Sequence, residues 1–371
     1  MIRVFEPRLT LSDKFSVLRS LFSNNISGTS PVVETFEIDL ANNFGREHAV
    51  AVSNGSTALD LAFESLDLNK GDEVIVPSFT IISCLSAILR TGATPIFCDV
   101  HEKSWNMTLE DVESKFSKNT KAVLLVHLYG LAGEASKIED YCKEKNLFLI
   151  EDSAEAHGQV VDGRLCGSFG DISTMSFYAN KHVTTGEGGA VLTNNLDFAN
   201  NIKLMRNLGF NNSKRFVHEN LYWNYRLGGL QAALGISQIK SLNGTIKLKI
   251  KQGKLYQDLL KPESQYLETQ LSSWNGVKNH YWVFGVLLKE NNIRDQVINS
   301  LREKGIETRP FFWPLHLQPV LPEDFRNVKD NLKTSERLGS NGLYIPIGAH
   351  INEKIQRKII KELINSIKQN L

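Results

Sequence analysis

The chain has 371 residues, 42% of them apolar and 22% charged, with a formal net charge of +1. Such a balance supplies ample material for a folded core and room for two domains, and it gives no cause to expect nucleic acid or an anionic membrane surface as the main partner. The opening stretch MIRVFEPRLTLSDK lacks the apolar core and cleavage pattern of a secretory signal, and no apolar run approaches the roughly 20 residues that span a bilayer. Cys84, Cys98, Cys142 and Cys166 are too widely spaced for a zinc site, so they read as reduced thiols of a cytosolic protein.

From about residue 49 to residue 193, short apolar runs alternate with amphipathic stretches. AVAVS (49–53) precedes ALDLAFESL (58–66), EVIVP (73–77) precedes TIISCLSAILRTG, and TPIFCDV (94–100) precedes a segment opening at Thr108. KAVLLVHLYG (121–130) leads into EASKIEDYCKEKN, and LFLIED (147–152) closes the series. Buried strands joined by crossover helices predict an α/β fold with a mostly parallel sheet and helices on both faces. DISTMSFY (171–178) and GAVLTNN (189–195) add two β-rich runs.

Beyond residue 195 the pattern turns helical, through NLDFANNIKLMRNLG and GLQAALGISQIKSL. The lysine-rich segment IKLKIKQGKLYQDLL reads as a helix with a solvated lysine face, bridging to a second unit. We place a large cofactor-binding domain at 1–250 and a smaller α+β domain at 251–371. The latter is predicted to hold a strand over HYWVFGVLLK (280–289), a helix near 292–304 and a final helix from Asn352.

Three stretches could carry chemistry. SNGST (53–57) lies where a strand ends and a helix begins, so unpaired N–H groups, the helix dipole and the hydroxyls of Ser56 and Thr57 could receive a phosphate. The same residues also make an ordinary N-cap turn. They form neither a Walker loop nor a G-x-G-x-x-G fingerprint, which argues against a nucleoside triphosphatase or a nicotinamide-dependent dehydrogenase.

LFLIEDSAEAHG sets Asp152 at the carboxyl edge of the sheet, where open α/β folds bind ligands. It could ligate a metal, act as a base or hold a protonated nitrogen. Glu155 and His157 follow, but one histidine beside two acids is too little for a metal site, and His157 reads as a structural histidine. In SFYANKHVTTGEGG (176–189), Lys181 falls between two buried strands. Burial disfavours the ammonium form and frees the amine to form Schiff bases. Pyridoxal phosphate needs such a lysine, a phosphate cradle and an acid for its ring nitrogen. Lys181, Ser56/Thr57 and Asp152 supply them.

The blocks SNGSTALDLAFESL, GDEVIVPSFT, VHLYG, IEDSAEAHG, GSFGDISTMSFYANKHVTTGEGG and YWNYRLGGLQAALG resemble the sugar aminotransferases of the DegT/DnrJ/EryC1/StrS family. The likeness runs from near the N-terminus to TRPFFWPLHLQPV (308–320). It implies a fold type I aminotransferase using pyridoxal 5'-phosphate. Lys181 would bear the cofactor and shuttle the proton, and Asp152 would keep the pyridine nitrogen protonated. Ser56, Thr57 and Ser176 would hold the phosphate. Asn224 would reach the phosphate from the neighbouring subunit, making a homodimer with shared active sites.

Glu155 would lie beside the cofactor hydroxyl where many members have glutamine. That form, with the SFYANK and TTGEGG blocks, resembles the GDP-perosamine-forming branch of the family. Ile81 stands where many members stack an aromatic ring on the cofactor. Arg309, Trp313 and His316 are candidates for sugar or diphosphate contact, or for packing between domains.

The expected reaction moves an amino group, with L-glutamate as donor, onto a nucleotide-linked 4-keto-6-deoxyhexose for surface polysaccharide or glycan assembly. Another keto sugar or a small keto phosphate is the alternative. Related dehydratases carry histidine in the lysine position; here His182 follows a retained Lys181. A non-catalytic binder would need neither Lys181 nor Asp152.

Overall fold

The computed structural model describes residues 1–210, 216–321, 325 and 332–371. Its main sheet takes β1 (His48–Val52), β2 (Glu73–Pro77), β3 (Thr94–Cys98), β4 (Thr120–Val126), β5 (Phe148–Asp152), β8 (Ile172–Ser176) and β9 (Gly189–Thr193) in the order β1-β9-β8-β5-β4-β2-β3. A short hairpin, β6 (Val160–Val161) and β7 (Arg164–Leu165), interrupts the series. Pairing is parallel from β8 through β5, β4, β2 and β3, while β9 runs antiparallel to both β8 and β1. This is a mostly parallel α/β sheet, as the sequence resemblance implies.

Side chains alternate faces along each strand, and both faces are buried. Val74, Val76, Leu124 and Ile150 pack with Ala58 and Leu61 of α3 (Gly55–Glu64) and Ile88 of α4 (Ile82–Arg90). Ile75, Val123, Leu125 and Leu149 pack with Ile138 and Cys142 of α6 (Ala135–Lys145) on the other side. The helix at Thr108 is short, Leu109–Glu113, and closed by a Thr108–Asp111 capping box. Two N-terminal helices, Leu11–Phe22 and Pro31–Phe44, were not foreseen; Phe36, Leu40 and Phe44 of the second cover Ala49, Ala51 and Met175.

A single 32-residue helix, Gly229–Leu260, runs through residue 250 and carries the lysine-rich stretch. Lys247, Lys251 and Lys254 are exposed as expected, but Lys249 is buried at 7% exposure. It falls on the stripe of Ile246, Gly253 and Tyr256, one helical face with core spacing.

Past this helix, β10 (Leu267–Thr269), β13 (Phe284–Leu288), β15 (Gly342–Ile345) and β14 (Arg309–Pro310) form a four-stranded sheet in that order, beside a hairpin of β11 (Ser273–Trp274) and β12 (Val277–Lys278). Helices Arg294–Glu303 and Glu353–Gln369 cover it, the latter capped by Asn352. The strand expected over 280–289 is confined to Phe284–Leu288. Tyr281 takes φ 52°, which breaks the extended run, and its N–H donates to Asn279 Oδ1 at 2.7 Å. Among the described residues no helix is long and apolar enough to cross a membrane, and all four cysteines are buried free thiols.

Candidate active site

Strand register gathers the candidate residues at one edge. Val52 and Ser176 both lie opposite Gly189, Asp152 lies opposite Thr174, and Val126 opposite Asp152. The carboxyl ends of four parallel strands and the amino end of β9 therefore open into one cavity of about 650 Å³. Ser56, Thr57, Ile81, Asp152, Glu155, Ser176, Lys181, Trp282 and Arg309 are among its lining residues.

At one side α3 begins. Asn54 caps it, its Oδ1 accepting from Thr57 N–H at 2.9 Å while its own N–H donates to Thr57 Oγ1 at 3.2 Å. Thr57 Oγ1 also donates to the Asn54 carbonyl at 2.8 Å, so that hydroxyl is committed to the cap. The first N–H groups of the helix, at Gly55 and Ser56, have no intrahelical acceptor. The Ser56 hydroxyl pairs with Ser83 at 2.6 Å, and Ser176 Oγ accepts from Tyr178 N–H at 3.4 Å. Gly189 permits this convergence: a Cβ there would stand 2.4 Å from the Asn54 carbonyl oxygen.

Across the cavity Asp152 is buried. Its Oδ1 accepts from Ala154 N–H at 3.0 Å, and among the described residues Oδ2 has only the Cys84 thiol at 3.7 Å. Burial pushes this carboxyl above its ordinary range, against the Ala154 hydrogen bond and the charge of Lys181. It therefore has both acceptor capacity and an electrostatic need for a cation at the cavity floor. Its neighbour Glu151 points to the opposite face and accepts from His127, Gly167 N–H, Phe169 N–H and Ser173. His127, Glu151 and Cys166 lie close enough together to suggest a metal, but the histidine and carboxylate are already engaged in hydrogen bonds, His127 Nδ1 with Gly133 N–H.

Lys181 sits between, its side chain 9% exposed and its Nζ 3.5 Å from Glu155 Oε1. Burial lowers its pKa, opposed by Glu155 and Asp152. Burial likewise raises Glu155 to about 7, partly offset by Lys181 and by the Tyr129 N–H that donates to Oε2 at 2.9 Å. The two partners thus pull each other toward charge while their surroundings pull both toward neutrality. The loop holding Lys181 is braced by Lys181 N–H to Tyr178 O at 2.9 Å and Phe177 N–H to Gly188 O at 2.8 Å.

Of the remaining expected residues, Arg309 reaches the cavity, with its guanidinium 3.6 Å from Glu307 and over the Phe5 ring at 5.0 Å. Trp313 does not line it; the indole is 43% exposed and donates to the Leu317 carbonyl. His316 is buried outside it, bonded to Ser78 and Glu336. Asn224 is exposed and lies outside the cavity of its own chain. His157 is buried, with Nδ1 accepting from Val183 N–H at 3.3 Å. Trp282 escaped the sequence reading because it was assigned to a strand.

The sequence profile of the DegT/DnrJ/EryC1/StrS aminotransferase family matches residues 11–364. The chain belongs to that family. Among its relatives, the GDP-perosamine synthase of Escherichia coli O157:H7 is 36% identical, with 93% of each chain covered. The enzyme of the same name from Caulobacter vibrioides is 34% identical over 98% of this chain and 97% of its own. The aminotransferase TlmJ of Streptoalloteichus hindustanus shares the fold with a TM-score of 0.91 at 28% identity, covering 100% and 99% of the two chains. The protein is a sugar aminotransferase of a pyridoxal-phosphate-dependent family. The cavity fits that cofactor: an amine, an under-satisfied buried carboxyl and a helix N-terminus with free donors face one open cleft.

Proposed function

We propose that this chain binds pyridoxal 5'-phosphate at Lys181 and moves an amino group from L-glutamate to a GDP-linked 4-keto-6-deoxyhexose, as a step of surface polysaccharide or glycan assembly. The observation that carries the acceptor is the 34–37% identity to GDP-perosamine synthases over most of the chain, together with a buried Glu155 beside Lys181.

When bound, the cofactor supplies an electron sink that makes the proton on the donor carbon removable. Asp152, buried at the cavity floor, would hold the cofactor's protonated ring nitrogen by accepting its N–H. The Gly55 and Ser56 N–H groups, with the Ser56 and Ser176 hydroxyls, would receive the phosphate, and Thr57 would contribute by fixing the cap that orients them. The Lys181 amine, whose pKa burial lowers, would carry the proton between the donor carbon and the cofactor. Glu155 stands within reach of that amine and holds it on the cofactor side. Walls of buried aromatic residues, Phe79, Tyr129 and Phe311, exclude water behind the site.

Asn224 belongs to a second copy's site in this reading. Its exposure, beside Leu221 at 95% and Trp223 at 44%, supports a homodimer that covers this segment. Light scattering on the purified chain, with Asn224→Ala compared for phosphate-dependent cofactor retention, tests it. For the reaction, a panel of GDP-, dTDP- and UDP-linked ketosugars and simple keto phosphates is assayed with glutamate. The GDP-linked 4-keto-6-deoxyhexose is expected to be aminated fastest, and Lys181→Ala to lose both turnover and the visible absorption of bound cofactor. Preference for another acceptor would refute the substrate; full absorption in Lys181→Ala would refute the attachment residue.

A further inference from the structure

The segment 279–283 is built to hold one ring against Lys181. The Trp282 indole is 4% exposed and lines the active cavity, with Lys181 Nζ 3.8 Å from its ring centroid. Its Nε1–H donates to the carbonyl of Asn180, next to Lys181 in the chain, at 3.2 Å. Its own carbonyl accepts from the buried Lys249 Nζ at 2.7 Å.

The backbone around it is equally constrained. Tyr281 is held at φ 52°. His280 N–H donates to Gly130 O at 2.7 Å, and Gly130 itself has φ +89°, where a Cβ would meet Trp282 N at 2.4 Å. A left-handed non-glycine residue, a glycine needed for close approach and a buried lysine on one carbonyl cost stability. Together they fix the position of a single side chain.

We propose that Trp282 is a positioning residue for Lys181: its indole face is the seat of the ε-amine whenever that amine is free, and it favours the amine's protonated form. This deepens the reading of Lys181 as the cofactor-bearing lysine and depends on it. The ring's negative face attracts an ammonium, more strongly in a desolvated site. Burial acts the other way and favours the neutral amine. An amine that must first accept a proton and then release it needs these two influences to be nearly matched.

The other charged or titratable groups near the amine are Glu155 and Asp152 from the sheet edge, His157 behind the lysine loop, and Lys249 from the long helix. The two acids favour the ammonium and Lys249 opposes it. None of them is altered by changing the indole.

The test reads the Lys181 amine directly. Full-length, cofactor-free protein is labelled with a trace acetylating reagent across a pH series, and acetylation of the Lys181 peptide is followed by mass spectrometry. In Trp282→Leu the midpoint is expected to move downward by about 0.5 to 1.5 pH units, with Trp282→Phe between it and wild type. A lower labelling rate at every pH with an unmoved midpoint would show a merely structural role and overturn the proposal. Should Trp282→Leu fail to fold by circular dichroism, Trp282→Phe decides alone: a midpoint at the wild-type value overturns the proposal. Failure of the underlying reading looks different, because Lys181→Ala would then still form the visible complex with pyridoxal phosphate whatever the labelling shows.

Discussion

Glu155→Gln isolates a buried carboxyl whose protonation is linked to folding. In the native chain its pKa rises from 4.5 to about 7, chiefly through burial; in the unfolded chain it returns to the ordinary value. The native state therefore holds this proton more tightly. Its contribution to stability is fully present below pH 4.5 and is lost as pH rises through about 7. At 1.36 kcal/mol per unit that interval corresponds to about 3 kcal/mol, of which about 2 kcal/mol falls between pH 5.5 and 7.

Glutamine keeps the volume and can accept the Tyr129 N–H, but cannot ionise. The stability of Glu155→Gln relative to wild type should thus climb with pH over that window and level off above it. Loss of the anion beside Lys181, whose ammonium burial already disfavours, steepens the trend in the same direction. Urea unfolding of both cofactor-free proteins from pH 5.5 to 8.5 measures the difference. Parallel curves, or a relative stability that falls with pH, would refute the linkage.

Glu151→Leu strips the acceptor from His127, two backbone N–H groups and Ser173, and should cost about 3–5 kcal/mol in urea unfolding. Because that cluster is saturated by hydrogen bonds, a chelator should leave the wild-type unfolding midpoint unchanged. Gly130→Ala forces a Cβ onto the Trp282 backbone at an unfavourable φ and should lower stability by at least about 2 kcal/mol, with altered tryptophan fluorescence. Ile81→Tyr adds an aromatic face at a cavity-lining position; an increment of about 0.5–1.5 kcal/mol predicts roughly two- to tenfold better cofactor retention on dialysis.

The seven strands of the main sheet were legible because each is a contiguous apolar run bounded by polar or turn residues, and Asp152 and Lys181 stood out as polar groups at the ends of such runs. Strand order was not legible, since it is decided by pairing across the chain. The reversal of β9 leaves no local mark either. The lysine-rich helix shows the limit of composition: three of its lysines share a solvated face, whereas Lys249 occupies the phase of Ile246, Gly253 and Tyr256. Reading phase rather than lysine content would have found it. Trp282 was hidden in HYWVFGVLLK, a run with good strand propensity, because the left-handed turn at Tyr281 is set by Asn279 and by distant Gly130. Thr57 reads as a phosphate donor, and its reciprocal bonds with Asn54 show that its hydroxyl also caps the helix.

The reversed strand β9 has a mechanical consequence. With β8 and β9 antiparallel, the chain that carries Lys181 leaves the sheet after Ser176 and re-enters it at Gly189, directly alongside. The Lys181 side chain thus hangs from two moorings on adjacent strands, like a bridge deck rather than a diving board. A single proteolytic nick on either side of Lys181 would leave the other attachment in place.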